Sequence, residues 1–244
     1  MRLSHGLAAT TFLLMIWQGI VSLTGVASFI LPGPARVWTA FWENRGLIAD
    51  HGLVTLTEVV LGLLIGGGLG VITALTLAIS PAARVLLRPM LVFSQALPVF
   101  ALAPILTLWL GYGLGSKVAM AVLIIYFPVT SAFFDGLMRV PPGYLDLART
   151  MGATQRTILW RIQVPNALPS LGSGFKLAAV YAPIGAVIGE WVGSSQGLGY
   201  LMLLANGRAK TDLMFAAMLA LGVMSVLLYV LADRVAQRLT ARAS

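Results

Sequence analysis

Cysteine is absent from this chain, and histidine nearly so, with only His5 and His51. No disulfide framework, thiolate metal site or cysteine nucleophile can be built from such a sequence. Neither histidine belongs to an H-E-x-x-H pattern, so a metalloenzyme centre has no ligand set. Charge is also scarce: Asp, Glu, Lys and Arg make up 10% of the chain, against about 25% in soluble domains. The chain is 59% hydrophobic, with a mean hydropathy of +0.92. A polypeptide of this kind aggregates in water, so a bilayer is its solvent. The net charge of +8 therefore bears on orientation in a membrane, and no nucleic-acid partner is expected.

A phosphate-binding loop is missing too. That motif, G-x-x-x-x-G-K-[ST], needs glycine backbone and a lysine to cradle phosphates. The three lysines follow Ser116, Phe175 and Ala209, and none fits. Any ATP-derived energy has to come from another subunit.

What the chain has is long apolar runs. A spanning helix needs about 20 mostly apolar residues. Six stretches qualify: Leu7 to Phe29, Leu53 to Ile79, Pro89 to Leu110, Val118 to Leu137, Pro169 to Trp191 and Leu213 to Ala232. The first exceeds a signal-peptide core and is followed by no A-x-A-like site, so it reads as a retained helix. The expectation is an all-α, polytopic membrane protein of six transmembrane helices, with residues 1–244 as one domain.

Lysine and arginine bias sets orientation. With the N-terminus inside, the inner segments hold ten: Arg2, Arg84, Arg88, Arg139, Arg149, Arg156, Arg161, Arg234, Arg238 and Arg242. The outer segments hold five: Arg36, Arg45, Lys117, Arg208 and Lys210. Both termini are therefore expected in the cytoplasm.

Inside the runs, Gly62, Gly66 and Gly70 recur at four-residue spacing. Such a face lets two helices approach closely in lipid. Packing within the subunit is the simpler reading, and a subunit interface the other. Pro98, Pro104, Pro128 and Pro183 fall inside three consecutive runs. Each removes a backbone hydrogen bond, and together they suggest a bundle shaped around a path. Ionisable and amide groups at membrane depth are few: Glu58, Gln95, Asp135, Lys176 and Glu190. Such groups are costly in lipid and often functional. They read either as interhelical or interfacial hydrogen-bonding groups or as the lining of a solute path. The path candidates are Glu58, Gln95, Pro98 and Glu190.

Between the fourth and fifth runs lies the polar segment YLDLARTMGATQRTILWRIQVP. Tyr144, Leu147, Ala148 and Met151 make an apolar stripe at helical spacing. Gly152 can end that helix in a left-handed cap, and Thr154 can cap a second. Ile158, Leu159 and Ile162 give the second helix its own apolar face, limited by Pro165, with the fifth span starting at Pro169. Two short amphipathic helices hinged at a glycine can lie on the membrane or dock into a partner's groove.

The segment resembles the EAA loop of bacterial ABC importer permease subunits, whose pattern is E-A-A, three residues, G, nine residues, I-x-L-P. Here the positions are Asp146, Leu147, Ala148, Gly152, Ile162, Gln163, Val164 and Pro165, with the spacing kept. Asp for Glu keeps the carboxylate and Val for Leu stays apolar; Leu147 for Ala is the larger departure. LPGP (31–34), TLTEVVLGLLIG (55–66), QALPVFALAPILTLWLGYGLGSK (95–117) and GEWVGSSQGLGYL (189–201) resemble the sulfonate, taurine, nitrate and thiamine-precursor branch.

The resemblance implies a type I importer-like membrane domain with cytoplasmic coupling helices at about 139–168, in the bacterial inner membrane. Asp146, Leu147, Ala148, Met151, Gly152, Ile162, Val164 and Pro165 would engage the ATPase. It implies two ATPase subunits that bind ATP and Mg, a periplasmic or lipid-anchored substrate-binding protein, and a second permease copy. This chain itself would bind no cofactor. Glu58, where sulfonate-type members usually carry Arg, makes the chain most similar to importers of the hydroxymethylpyrimidine precursor of thiamine. Sulfonate, taurine, nitrate or another small solute is the alternative, and an ATP-independent carrier or channel a remoter one.

Overall fold

A computed structural model describes residues 3–241, which are helical throughout apart from short connections. Arg2 and Arg242, both counted in the charge bias, lie outside the described residues. Helix α1 spans Leu3–Thr24. It stops five residues before the expected Phe29, because Gly25 takes φ +61 and turns the chain out of the helix. Gly33 and Pro34 then start an unforeseen amphipathic helix, α2 (Pro34–Glu43), with proline in its first turn. It exposes Trp38 and Trp42, and the Arg45 guanidinium lies 5.1 Å from the Trp42 ring centre. Indoles beside a cation suit a membrane–water boundary.

Helix α3 (Arg45–Ile79) has 35 residues, about 52 Å at 1.5 Å per residue. That exceeds the bilayer core of about 30 Å, so α3 projects beyond it. Its last carbonyls, of Leu77 and Ala78, accept from the Arg84 guanidinium at 3.1 Å each.

The expected third span is not one helix. Helices α4 (Pro81–Ala96) and α5 (Val99–Leu110) meet at 101°. Leu97 and Pro98 are extended at the elbow, because a residue before proline is pushed out of the helical region. Of the prolines within the apolar runs, only Pro98 breaks its run; Pro104, Pro128 and Pro183 sit inside continuous helices.

Helix α6 (Leu114–Met138) is followed by α7 (Pro142–Thr150), α8 (Gln155–Ile158), a π-helical turn (Leu159–Gln163) and α9 (Val164–Gly193). Here the expectation of a helix limited by Pro165 fails. The chain is one helical rod from Gln155 to Gly193, 39 residues long. The Val164 N–H bonds to the Leu159 carbonyl five residues back. This widened turn comes directly before Pro165, whose ring would otherwise press on a carbonyl one turn earlier. Helices α10 (Leu198–Gly207) and α11 (Thr211–Ala241) complete the chain.

Among the described residues, four helical stretches are long and apolar enough to cross a membrane unbroken: α3, α6, the α8–α9 rod and α11. The α4–α5 pair passes only as a bent unit, and Ala8–Thr24 is a shorter apolar helix.

Helix α6 lies between α3 and α9, and α11 packs on α9. The glycine face of α3 meets α6 of the same chain. A Cβ on Gly62 would lie 2.5 Å from that of Ala121, and one on Gly66 or Gly70 would crowd Ile125 or Val129. Gly185 of α9 approaches the other side of Ala121. Small residues thus let three backbones close on one another without a cavity. A second apolar cluster joins Val37, Ile48, Leu198, Leu201, Leu213 and Ala217. It ties α2, α10 and the start of α11 to the start of α3, at the end of the bundle remote from α7. Lys176 of α9 and Asp233 of α11 form an ion pair at 3.3 Å.

The packing predicts opposite outcomes for two glycines on α3. Gly62→Val should lower the thermal midpoint in detergent, with overpacking costing roughly 1–3 kcal/mol. Gly68, which has nothing within 4 Å of a built Cβ, should tolerate alanine or gain up to about 1 kcal/mol in helix propensity. Unfolding monitored by size-exclusion fluorescence checks both.

Candidate functional site

The bundle carries its distinctive chemistry at its two ends. At one end, α7 follows Pro141 and ends in a glycine turn. Gly152 has φ +82; its N–H donates to the Arg149 carbonyl, and the Ala153 N–H to the Ala148 carbonyl, at 2.9 Å each. This paired bonding satisfies the last carbonyls of α7 and requires a left-handed residue, which glycine supplies without strain. The Thr154 hydroxyl then accepts from the Thr157 N–H at 3.2 Å and caps the next helix.

The two halves of this loop differ in burial. Ile158, Leu159 and Gln163 are buried against the bundle, and the Gln163 amide donates to the Leu137 carbonyl at 3.3 Å. Ile162, Val164 and Pro165 are half-buried beside them, and Ala148 is half-buried on α7. By contrast Tyr144, Leu147 and Met151 are 65%, 59% and 79% exposed. Asp146, also exposed, pairs with Arg149 at 2.9 Å.

At the opposite end lies a buried polar node. Helix α10 begins there, and a helix start leaves four amide donors without internal partners. Each of these donors has an acceptor from another helix. The Gly197 N–H donates to Nδ1 of His51 at 2.9 Å, and the Leu198 N–H to the Thr55 hydroxyl at 2.8 Å. The Gly199 and Tyr200 N–H groups donate to Oε2 of Glu190 at 2.5 and 3.3 Å. The Thr55 hydroxyl passes its own proton to Oε1 of Glu190 at 2.6 Å. Glu190 is only 1% exposed, and its carboxyl oxygens face the positive end of α10. Gly197 has φ +106, and a Cβ there would fall 2.2 Å from the Glu190 carboxyl carbon. Glycine is therefore the residue that fits this position.

Lys117, in the first turn of α6, is buried to 1% exposure. Its ammonium donates to the Gly193 carbonyl at 2.5 Å and to the Tyr112 carbonyl. It thereby caps the C-terminus of α9 with positive charge. The sequence reading placed Lys117 in an outer connecting segment; it is instead an interior tie between α6 and α9. Glu58, 2% exposed, faces the same region. Glu58, Lys117, Tyr112 and Ser194 line a cleft of about 340 Å³.

The four path candidates therefore separate. Glu58 lines the cleft; Glu190 is taken up by the start of α10 and does not line it. Gln95 and Pro98 stand exposed on the α4–α5 elbow. His51, Thr55, Lys117, Gly197 and Gly199 were not foreseen as a unit. The glycine pair in QGLG, directly after a conspicuous GEW, was the available signal. Among the described residues, no three His, Asp or Glu side chains converge in a metal-binding arrangement.

Glu190→Ala should strand the Gly199 and Tyr200 donors. The expected loss is roughly 2–6 kcal/mol, about 1–3 for each buried unsatisfied group. Gly197→Ala should lower the thermal midpoint in the same direction, and a midpoint unchanged in both variants would contradict the node.

Residues 66–244 match the family described as "Binding-protein-dependent transport system inner membrane component". A probable ABC transporter permease protein of Haemophilus influenzae is 50% identical, over 93% of each chain. The formylaminopyrimidine transport permease protein ThiX of Halalkalibacterium halodurans is 35% identical over 93% of this chain and 92% of its own. The riboflavin transport system permease protein RibX of Chloroflexus aurantiacus is 38% identical over 93% and 86%. Among solved structures, an inward-facing form of the MetNI methionine ABC transporter gives a TM-score of 0.70 at 19% identity, covering 81% of this chain and 98% of that one. The fold is thus that of a type I ABC importer membrane domain, and the all-helical, membrane-embedded expectation holds. The chain belongs to the binding-protein-dependent inner membrane components, the permease subunits of ABC importers, and is a transport subunit rather than an enzyme.

Proposed function

We propose that this chain forms half of the solute path of an ATP-driven importer in the bacterial inner membrane. Two copies pair with two ATPase subunits, which bind ATP and Mg, and a substrate-binding protein docks at the node end. Both termini face the cytoplasm. The observation that carries this reading is the exposed apolar row of Tyr144, Leu147 and Met151 on α7. It lies on a loop whose other half is anchored in the bundle, so a partner seated on α7 would have a firm lever. Asp146 and Gly152 act as the loop's charged contact and its turn.

The solute is a small neutral nitrogen heterocycle, the pyrimidine precursor of thiamine. The relative named for formylaminopyrimidine supports this, and so does Glu58. A sulfonate or taurine is the other reading; a buried carboxyl facing the cleft disfavours simple alkylsulfonates, which offer only acceptor oxygens.

Affinity purification of the tagged chain from native membranes tests the assembly. An ATPase should be recovered in equal amount with the wild-type chain. Leu147→Asp and Gly152→Val should each cut that recovery at least about tenfold, a loss of roughly 1.4 kcal/mol or more. Recovery of the chain alone, or full ATPase recovery with both variants, would refute the coupling role.

A further inference from the structure

Among the described residues two buried side-chain polar atoms lack a hydrogen-bond partner, Nε1 of Trp17 and Oε2 of Glu58, and Glu58 is the one that lines the polar cleft. Buried acceptors left unpaired are rare, and each calls for an explanation. Its neighbour Glu190 already accepts from Thr55, Gly199 and Tyr200, so the start of α10 offers no donor to Glu58. Oε2 of Glu58 is left as an acceptor without a partner in the fold.

Lys117 supplies the complement. An ammonium has three donors, and two of them go to the Tyr112 and Gly193 carbonyls. Among the described residues no ion pair joins Lys117 to Glu58 or Glu190. Both side chains line the same cleft of about 340 Å³, which reaches the surface at Ser195 and Gln196. That volume falls at the small end of ligand sites, about 300–1,000 Å³, and suits a single ring with short substituents.

We propose that this cleft is a solute subsite reading a donor–acceptor edge. Oε2 of Glu58 accepts from an exocyclic amino or amide N–H, and the Lys117 ammonium donates to the adjacent ring nitrogen or carbonyl. The ligand class is a neutral amino-substituted heteroaromatic or amide. Simple alkylsulfonates are disfavoured because they bring no donor to Glu58. The proposal rests on the permease reading above and names the recognition chemistry of that path. The fold does not need the Glu58 acceptor, since the start of α10 is satisfied without it.

The test uses the whole complex, with ATPase and binding protein, reconstituted in liposomes. The probes are formylaminopyrimidine and its analogue with the ring amino group replaced by hydrogen. The readout is the ratio of their uptake kcat/KM values, compared between permease variants with the same binding protein, so that the binding protein's own preference cancels. Glu58→Gln keeps a carbonyl acceptor in the cleft and should hold the ratio within about threefold of wild type. Glu58→Met removes the acceptor and should shrink the ratio at least about tenfold, since a site built to bond a polar group rejects the analogue lacking it. An unchanged ratio in Glu58→Met overturns the subsite. So does an assembled, ATP-hydrolysing wild-type complex that imports neither probe, and that result leaves the permease assignment standing. Failure to recover any ATPase overturns the assignment and the subsite with it.

Discussion

The start of α10 governs the far end of this molecule. A helix that begins inside a protein must find acceptors for four amide donors. Here His51 and Thr55 of α3 and Glu190 of α9 provide them. The requirement fixes the register of α3 against α9, because His51 and Thr55 are one turn apart on a single face. It also fixes Gly197 and Gly199, because the Glu190 carboxyl occupies the space their side chains would fill. Lys117 adds the reverse device at the neighbouring C-terminus of α9. Two helix ends of opposite polarity are thus each met by a buried side chain of complementary hydrogen-bonding character.

The middle of the bundle is held by a different force. Lipid is as apolar as leucine, so burying leucine gives no advantage there, and close backbone approach has to serve instead. Gly62, Gly66 and Gly70 of α3 and Gly185 of α9 all close on α6. The exception is the α4–α5 pair. Helix α4 buries no residue in this chain, and α5 buries only Ala103 and Thr107. The chain therefore has a tightly closed block, α3–α6–α9, and a bent arm packed more loosely against it.

These features were legible in the sequence to different degrees. The apolar runs and the loop pattern were readable because lipid and a glycine turn each impose a strict local rule. The glycine face of α3 was readable as packing for the same reason. The break at Pro98 was not assigned; proline alone does not separate a continuous helix from an elbow, and Pro128 and Pro183 sit in continuous helices. The continuity through Pro165 depends on a π turn that no residue pattern announces. The node was unreadable as a site because its members are up to 149 positions apart, from His51 to Tyr200. Only the geometry of α10 brings them together.

The two ends of the molecule are joined by one covalent rod. The helix from Gln155 to Gly193 carries Ile158 and Leu159 in the loop and Glu190 in the node. At 1.5 Å per residue its 39 residues extend about 58 Å. A continuous helix transmits displacement along its axis far better than packed loops do, since shortening it means breaking its hydrogen bonds. Its one irregular turn, Leu159–Gln163, lies just inside the loop. A force applied at the α7 surface therefore meets a compliant turn first and a stiff rod beyond it. At the far end of that rod sits the carboxyl that holds the start of α10, next to the cleft with its unpaired acceptor. Loop and cleft thus sit at the two ends of one helix, and the node fixes the end that carries the cleft.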